Sequence, residues 1–325
     1  MLKIFKQKNA AHPIFLLLYG LILKSGFFRE PISITVSPED HLLFKEVAAF
    51  LNPSKSGSYI FNLLTFILIY IQALLFNKVI NQFKLLGKPS YLPAMSYVLI
   101  TSLVPSWNEF SAPLLINGLL IWLFYGLAKS FTSNQPRADV YNFGIIAAVI
   151  TLLYQPAVLF IAFVLIGIFV MRPFRFKEWL ICLLGVLTPY YFVAVILFLT
   201  DKFSWSVILP DLDFHLPVLL KDQKLVISLS LLIFPFLMGA FWVQASLNKM
   251  LIQVRKSWSL LLLMILISIT IALLNFENNL SDWVLTAVPF AAFHAAAYHY
   301  PKKMWFVYLL HWGTFGWCVY QMWNF

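Results

Sequence analysis

The residues best placed to do chemistry follow the first apolar run: Phe27-Phe28-Arg29-Glu30-Pro31. A carboxylate at Glu30 can act as a general base towards an acceptor hydroxyl, or help to hold a divalent metal ion. A guanidinium at Arg29 matches phosphate oxygens bidentately. The same five residues also read as an interfacial salt bridge closed by a proline stop.

A second set lies further on. Asp211, Asp213 and His215 alternate, so an extended loop would present them on one face, and all three are metal-ligand types. Lys221 and Lys224 follow and can meet a lipid phosphate, although a solvated loop explains the whole set equally well. Trp107-Asn108-Glu109 forms a very short turn, and Asn275, Glu277, Asn278, Asn279 and Asp282 make another acidic one. Among the histidines, His294 and His299 are five apart and share no clean helix face. His294 and His311 lie in apolar runs and read as packed residues. Cys182 and Cys318 also lie in apolar runs, with neither disulfide nor zinc spacing. No Walker lysine, Gly-x-Gly-x-x-Gly or Gly-x-Ser-x-Gly motif occurs, which argues against a nucleotide-hydrolysing pump.

The elements that position these groups follow from composition. Of 325 residues, 61% are hydrophobic and 11% charged, against about 25% charged in a soluble domain. Lipid is the solvent that suits such a chain. Backbone groups in lipid must bond within their own segment, so the apolar runs are helices. They span roughly 12–28, 58–76, 91–105, 111–130, 178–200, 225–245, 258–275, 282–299 and 304–323. The expected fold is therefore all-α: a polytopic transmembrane bundle of about 9–11 helices. Residues 1–325 read as a single membrane domain, with Met1–Lys8 preceding a retained first span. The larger loops cover 28–57 and 201–224. The first carries Phe44–Leu51, an amphipathic pattern suited to the interface plane.

Basic residues set the orientation. With the N-terminus cytoplasmic, 16 Lys and Arg fall in inner segments and 7 in outer ones, as the positive-inside rule requires. The net charge of +10 is thereby accounted for without a nucleic-acid partner. Only Asp139 and Glu178 of the 13 acids fall inside; the other 11 collect outside. Segment 143–171 begins and ends on the inner side, so it must cross an even number of times. Two full spans need about 40 residues, and 29 are present. Tyr154-Gln155-Pro156 breaks it at the centre. The expectation is a pair of short helices or a re-entrant hairpin facing protein or a cavity; the alternative is one tilted, kinked helix.

Three features resemble the polytopic glycosyltransferases of the GT-C type. An acid-bearing outer loop with an amphipathic stretch follows span one (Arg29-Glu30, then 39–51). A short hairpin runs from Asn142-Phe143-Gly144 through Tyr154-Gln155-Pro156 to Met171-Arg172-Pro173-Phe174-Arg175. A span containing Leu184-Gly185-Val186-Leu187-Thr188-Pro189 comes next. The whole chain also looks like a multi-pass membrane family of the Bacteroidetes. The resemblance implies inverting transfer of a sugar from a polyprenyl-phosphate donor to a glycan or lipid acceptor. The reaction would lie on the outer face of a bacterial cytoplasmic membrane. Glu30 would be base or metal ligand, and Arg29, Lys221 or His215 would hold the lipid phosphate. Apart from the resemblance, Asp211 and Asp213 are the candidate metal ligands that their alternation suggests. Glu39-Asp40, an acid pair, lies further along the same loop. The other classes are a secondary transporter or flippase, and a non-enzymatic subunit of an envelope assembly with membrane-protein partners.

Overall fold

The structure is a computed structural model of the chain. It describes residues 2–7, 9, 11–34, 36–52, 56–133, 135–210, 223–274, 280–301 and 304–323. In order these form α1 (Leu2–Phe5), α2 (His12–Leu23), α3 (Leu42–Leu51), α4 (Tyr59–Gln82), α5 (Leu92–Ile100), α6 (Ala112–Ser130) and α7 (Pro136–Leu153). They continue with α8 (Leu159–Met171), α9 (Phe176–Leu199), α10 (Trp205–Ile208), α11 (Gln223–Ser246), α12 (Ile252–Leu273), α13 (Ala287–His299) and α14 (Met304–Trp323). Tight 3-10 turns at Pro105–Asn108, Gln155–Val158 and Leu280–Thr286 interrupt the helical order. No strand forms among the described residues. Seven of the described helical segments are long and apolar enough to cross a bilayer. The chain is an all-α polytopic membrane bundle.

Local sequence explains where the helices start. Pro13, Pro93, Pro113 and Pro136 each sit in the first turn of a helix, where a missing N–H costs nothing. The Ser58 hydroxyl caps α4 by accepting from the Ile60 amide at 3.3 Å.

Hydrogen bonds to backbone carbonyls sort the turns onto two ends. At the N-terminal end, the Tyr91 amide donates to Phe5 O (2.8 Å), Arg172 Nη1 to Ser130 O (2.8 Å) and Lys256 Nζ to Met171 O (3.2 Å). At the opposite end, the first-loop end, the His41 amide donates to Leu153 O (3.0 Å) and Trp107 Nε1 to Leu280 O (2.7 Å).

α5 and α13 lie at the centre, and every α5 residue is buried. Helices apolar on all sides belong in such a place. α9 and α11 lie outside and expose Leu, Ile and Phe side chains, the surface lipid would cover. Small residues permit the closest approaches. A Cβ on Gly144 would fall 2.1 Å from Cys182 O, and one on Gly185 2.2 Å from Tyr141 O. Backbones of α7 and α9 therefore touch.

Several spans differ from their sequence limits (α4 runs on to Gln82 and α12 begins at Ile252), and two of the differences bear on the site. Helix in 91–105 persists only to Ile100. The Thr101 and Ser102 hydroxyls bond back to Val98 O at 3.1 and 2.9 Å, and Pro105 opens a 3-10 turn. In 143–171 the first helix begins earlier, at Pro136, which lengthens it to 18 residues, or about 27 Å. Tyr154 is extended, Gln155–Val158 turns, and α8 packs back along α7 to bring Arg172 beside Ser130. The segment is thus a two-helix hairpin rather than one kinked rod.

Candidate functional site

The Arg29-Glu30 corner is held by α4. Asn62 is buried; its Nδ2 donates to Phe27 O (2.7 Å) and Glu30 O (3.0 Å), while its Oδ1 accepts from the Ile32 amide (3.1 Å). Both Arg29 and Glu30 side chains are exposed. Arg29 Nη1 donates to Trp323 O at 3.1 Å, and the guanidinium lies 4.4 Å over the Trp323 ring. This corner joins α2, α4 and α14. Asp211, Asp213, His215 and Lys221 lie outside the described residues, as do Asn275, Glu277, Asn278 and Asn279.

Directly before this corner is one of the 7 basic residues that the charge count places in outer segments. Lys24 is 1% exposed. Its ammonium donates to Asn108 Oδ1, to Thr101 Oγ1 (3.3 Å) and to Thr101 O (3.4 Å). Three N–H donors thus meet three acceptors. Without them a buried ammonium would be prohibitive.

A denser assembly forms where the first loop meets the hairpin break. Asp40 and Tyr154 pair as an antiparallel bridge. The His41 amide donates to Leu153 O and the Gln155 amide to Glu39 O, each at 3.0 Å. The loop thereby satisfies backbone groups that the Pro156 break removes from the helix ladder. α3 then lies across the same end. Phe44 and Ala48, one turn apart, are buried, and the Phe44 ring stacks on Phe110 at 6.4 Å. Phe50, on the other face, is 85% exposed.

Three carboxyls and a phenol from three distant segments converge there. Glu39, Asp40, Asp282 and Tyr154 are all buried. Asp282 sits in the Leu280–Thr286 turn, which Trp107 holds through Leu280 O and Asn117 Nδ2 holds through Val284 O at 2.9 Å. The Tyr154 and Asp282 side chains interact, with Glu39 and Asp40 in electrostatic range, although the Tyr154 hydroxyl falls short of hydrogen-bond geometry. The Ser37 amide donates to Asp40 Oδ2 at 2.7 Å, and the Ser281 hydroxyl to Asp282 Oδ1 at 3.4 Å.

Burial sets the protonation of this group. Asp40 is pushed up to about 7, chiefly by desolvation, with Glu39 adding to the rise and the Ser37 amide and Lys45 opposing it. Desolvation, then Lys45, lowers His41 below its ordinary value. Desolvation raises Glu109, in the turn before α6. Lys45, one turn along α3, is the cation that acts on both Asp40 and His41. A proton-accepting carboxyl near neutrality beside a cation suits general-base chemistry. Metal chemistry fits less well: among the described residues, no three His, Cys, Asp or Glu side chains group so as to hold a metal ion.

The profile of the Family of unknown function (DUF6427) matches residues 31–315. The chain belongs to that family. No curated protein and no solved structure matches it. The matched stretch of this DUF6427 chain includes Glu39, Asp40, Tyr154 and Asp282, whereas Arg29 and Glu30 lie just before it.

Proposed function

We propose that this chain is a GT-C-like membrane glycosyltransferase. It has a cytoplasmic N-terminus and works at the first-loop end on the outer face of the membrane. The donor is a lipid-phosphate-linked sugar. The observation that carries this reading is the burial of Glu39 and Asp40 over the hairpin break, with Tyr154 and Asp282 beneath. Such a site offers a general base at the depth where a lipid would present its headgroup sideways.

In the step, an acceptor hydroxyl oxygen bonds to the sugar anomeric carbon from the side opposite the phosphate. The anomeric carbon–oxygen bond to phosphate breaks, and its electrons leave with the lipid phosphate. The hydroxyl proton passes to a carboxylate, Asp40 in this arrangement. The leaving phosphate needs a counter-charge, and Lys45 or Arg29 can supply it. The exposed Glu30 is the alternative base.

The test is complementation of a deletion strain, reading its surface glycans and lipid-linked sugars. Asp40→Asn and Glu39→Gln are expected to abolish the product at unchanged protein level, with Glu30→Gln reporting on the alternative. Full complementation by all three variants would sink the transferase reading. A flippase or secondary transporter is the second reading. The further breaks at Pro105–Asn108 and Leu280–Thr286 favour it, since interrupted spans are common in transporters. It predicts lipid or solute movement in proteoliposomes that carry no sugar donor.

A further inference from the structure

The turn that carries Asp282 is held from outside itself. Leu280–Thr286 is a 3-10 turn of seven residues. Such turns seldom run beyond about four, because their hydrogen bonds are poorly aligned. This one holds neither glycine nor proline, and the cause of the break lies just downstream. Pro289 stands third in α13. It has no N–H to give to Leu285 O, four residues before it, and its ring crowds that carbonyl. A regular helix is therefore weakened at Leu285.

Three side chains from three other segments take the carbonyls of the turn. Trp107 Nε1, in the Pro105–Asn108 turn, donates to Leu280 O at 2.7 Å. Asn117 Nδ2, on α6, donates to Val284 O at 2.9 Å. Ser268 Oγ, on α12, donates to Leu285 O at 3.3 Å and so serves the acceptor that Pro289 cannot. All three residues are buried. Asn117 is itself backed by polar groups. The Tyr97 phenol interacts with its side chain and donates to Gln72 Oε1 at 2.7 Å. Gln72 Nε2 donates in turn to Leu114 O at 2.8 Å, one turn before Asn117. This interior chain of polar groups, drawn from α4, α5 and α6, ends on the Asp282 turn.

The clamp decides where Asp282 points. A 3-10 turn advances about 120° and 2.0 Å per residue, an α-helix about 100° and 1.5 Å. Asp282 lies five residues before Ala287, where α13 begins. Rewinding the turn to α geometry would swing its carboxyl by about 100° and draw it back by about 2.5 Å. Asp282 would then turn away from Tyr154, with which it interacts, and from Glu39 and Asp40. We propose that Trp107, Asn117 and Ser268 are positioning residues for the acid cluster: they hold this turn in its 3-10 form and so keep Asp282 against Tyr154, beneath Asp40. What the cluster does rests on the transferase reading; the clamp itself does not.

Hydrogen–deuterium exchange of the full chain in detergent reads the clamp without any assay of transfer. Without its donors the turn is poorly bonded in either helical form. Trp107→Phe, Asn117→Leu and Ser268→Ala are each expected to speed amide exchange in 280–286 about fivefold, the worth of one net hydrogen bond, and to leave the body of α13 unchanged. Ser268→Thr keeps the hydroxyl and should match the parent. Should Asn117→Leu fail to fold, Ser268→Ala, which removes a single hydroxyl, gives the same readout. Unchanged or slower exchange in the turn, or an equal rise along all of α13, overturns the clamp. Complementation at unchanged protein level reads the link to the site. The three clamp variants should lose surface glycan in the order of their exchange, Asp282→Asn should lose it too, and Ser268→Thr should retain it. Product kept by Asp282→Asn but abolished by Asp40→Asn overturns the positioning role and leaves the transferase reading standing. Product kept by Asp40→Asn, Glu39→Gln and Glu30→Gln sinks that reading instead, and the exchange rates then decide the clamp by themselves.

Discussion

Asp40 and Tyr154 are joined backbone to backbone, although 114 positions separate them. That pairing stitches the first loop onto the one hairpin whose helices are split by a proline. It also carries the Asp40 carboxyl under cover, and the cover makes the residue an unusually weak acid. Fold and chemistry are therefore linked at this point: the bonds that repair the helix break also bury the acid.

Asp40 should make stability depend on pH in a direction opposite to that of a salt-bridged acid. Its carboxyl titrates near 3.8 when unfolded and about 7 when folded. Between those values the native chain holds a proton that the unfolded chain has released, so stability falls as pH rises through the window. Asp40→Asn is expected to remove this slope. Its thermal midpoint in detergent should gain on the parent from about pH 4 to above 7, then run parallel. Any transfer activity of the parent should rise through about pH 7 as the base ionises.

Orientation can be read with cysteine labels. The native Cys182 and Cys318 are free and buried, so they should stay silent to an impermeant maleimide. A cysteine at Glu30, exposed at the first-loop end, is expected to label on intact cells. One at Lys177, exposed beside the opposite turn, should label only after permeabilisation. The reverse pattern would invert the proposed topology.

Much of this architecture was legible in the sequence. The span limits come from apolar runs, and the hairpin comes from counting 29 residues between two basic turns. The α3 stripe is visible in Phe44 and Ala48. The site was not legible, because its parts come from positions 39–41, 154 and 282, and nothing local marks them as neighbours. Glu39-Asp40 reads only as an acid pair further along the first loop, and Asp282 as turn polarity. Lys24 read as a loop cation, since the acceptors that bury it, Thr101 and Asn108, lie on another segment. Burial of polar groups depends on partners supplied by tertiary contact, and single-sequence patterns do not contain those contacts.

Gly144 and Gly185 define the α7–α9 seam. A Cβ at either would overlap a backbone carbonyl of the other helix, and backbone cannot move aside as a flexible side chain can. Gly144→Val is expected to cost about 1–3 kcal/mol or more, lowering the thermal midpoint in detergent. Gly87, whose added Cβ meets no atom within 4 Å, stands at φ +76°, so its variants would test backbone strain instead. Gly316 is the better control: nothing lies within 4 Å of its added Cβ, and Gly316→Ala should leave the midpoint unchanged. An unchanged midpoint in Gly144→Val would mean that α9 packs differently.

The Lys24–Asn108 pair should show strong coupling in a double-mutant cycle. Asn108→Leu leaves an ammonium buried with only the Thr101 oxygens to receive it, and stranding a buried charge typically costs about 3–5 kcal/mol. Lys24→Met removes the charge and leaves neutral acceptors, a smaller loss of about 1–3 kcal/mol per stranded group. With both changed, the charge and its nearest acceptor disappear together, so the double variant should be more stable than Asn108→Leu alone. The ordering expected in thermal unfolding is parent, then Lys24→Met and the double variant, with Asn108→Leu lowest. Simple additivity would show that the ammonium reaches water despite its 1% exposure. Non-additivity in the stated sense would establish that the first span is locked to the Pro105–Asn108 turn through a buried charge. That lock would fix the Arg29-Glu30 corner directly after it.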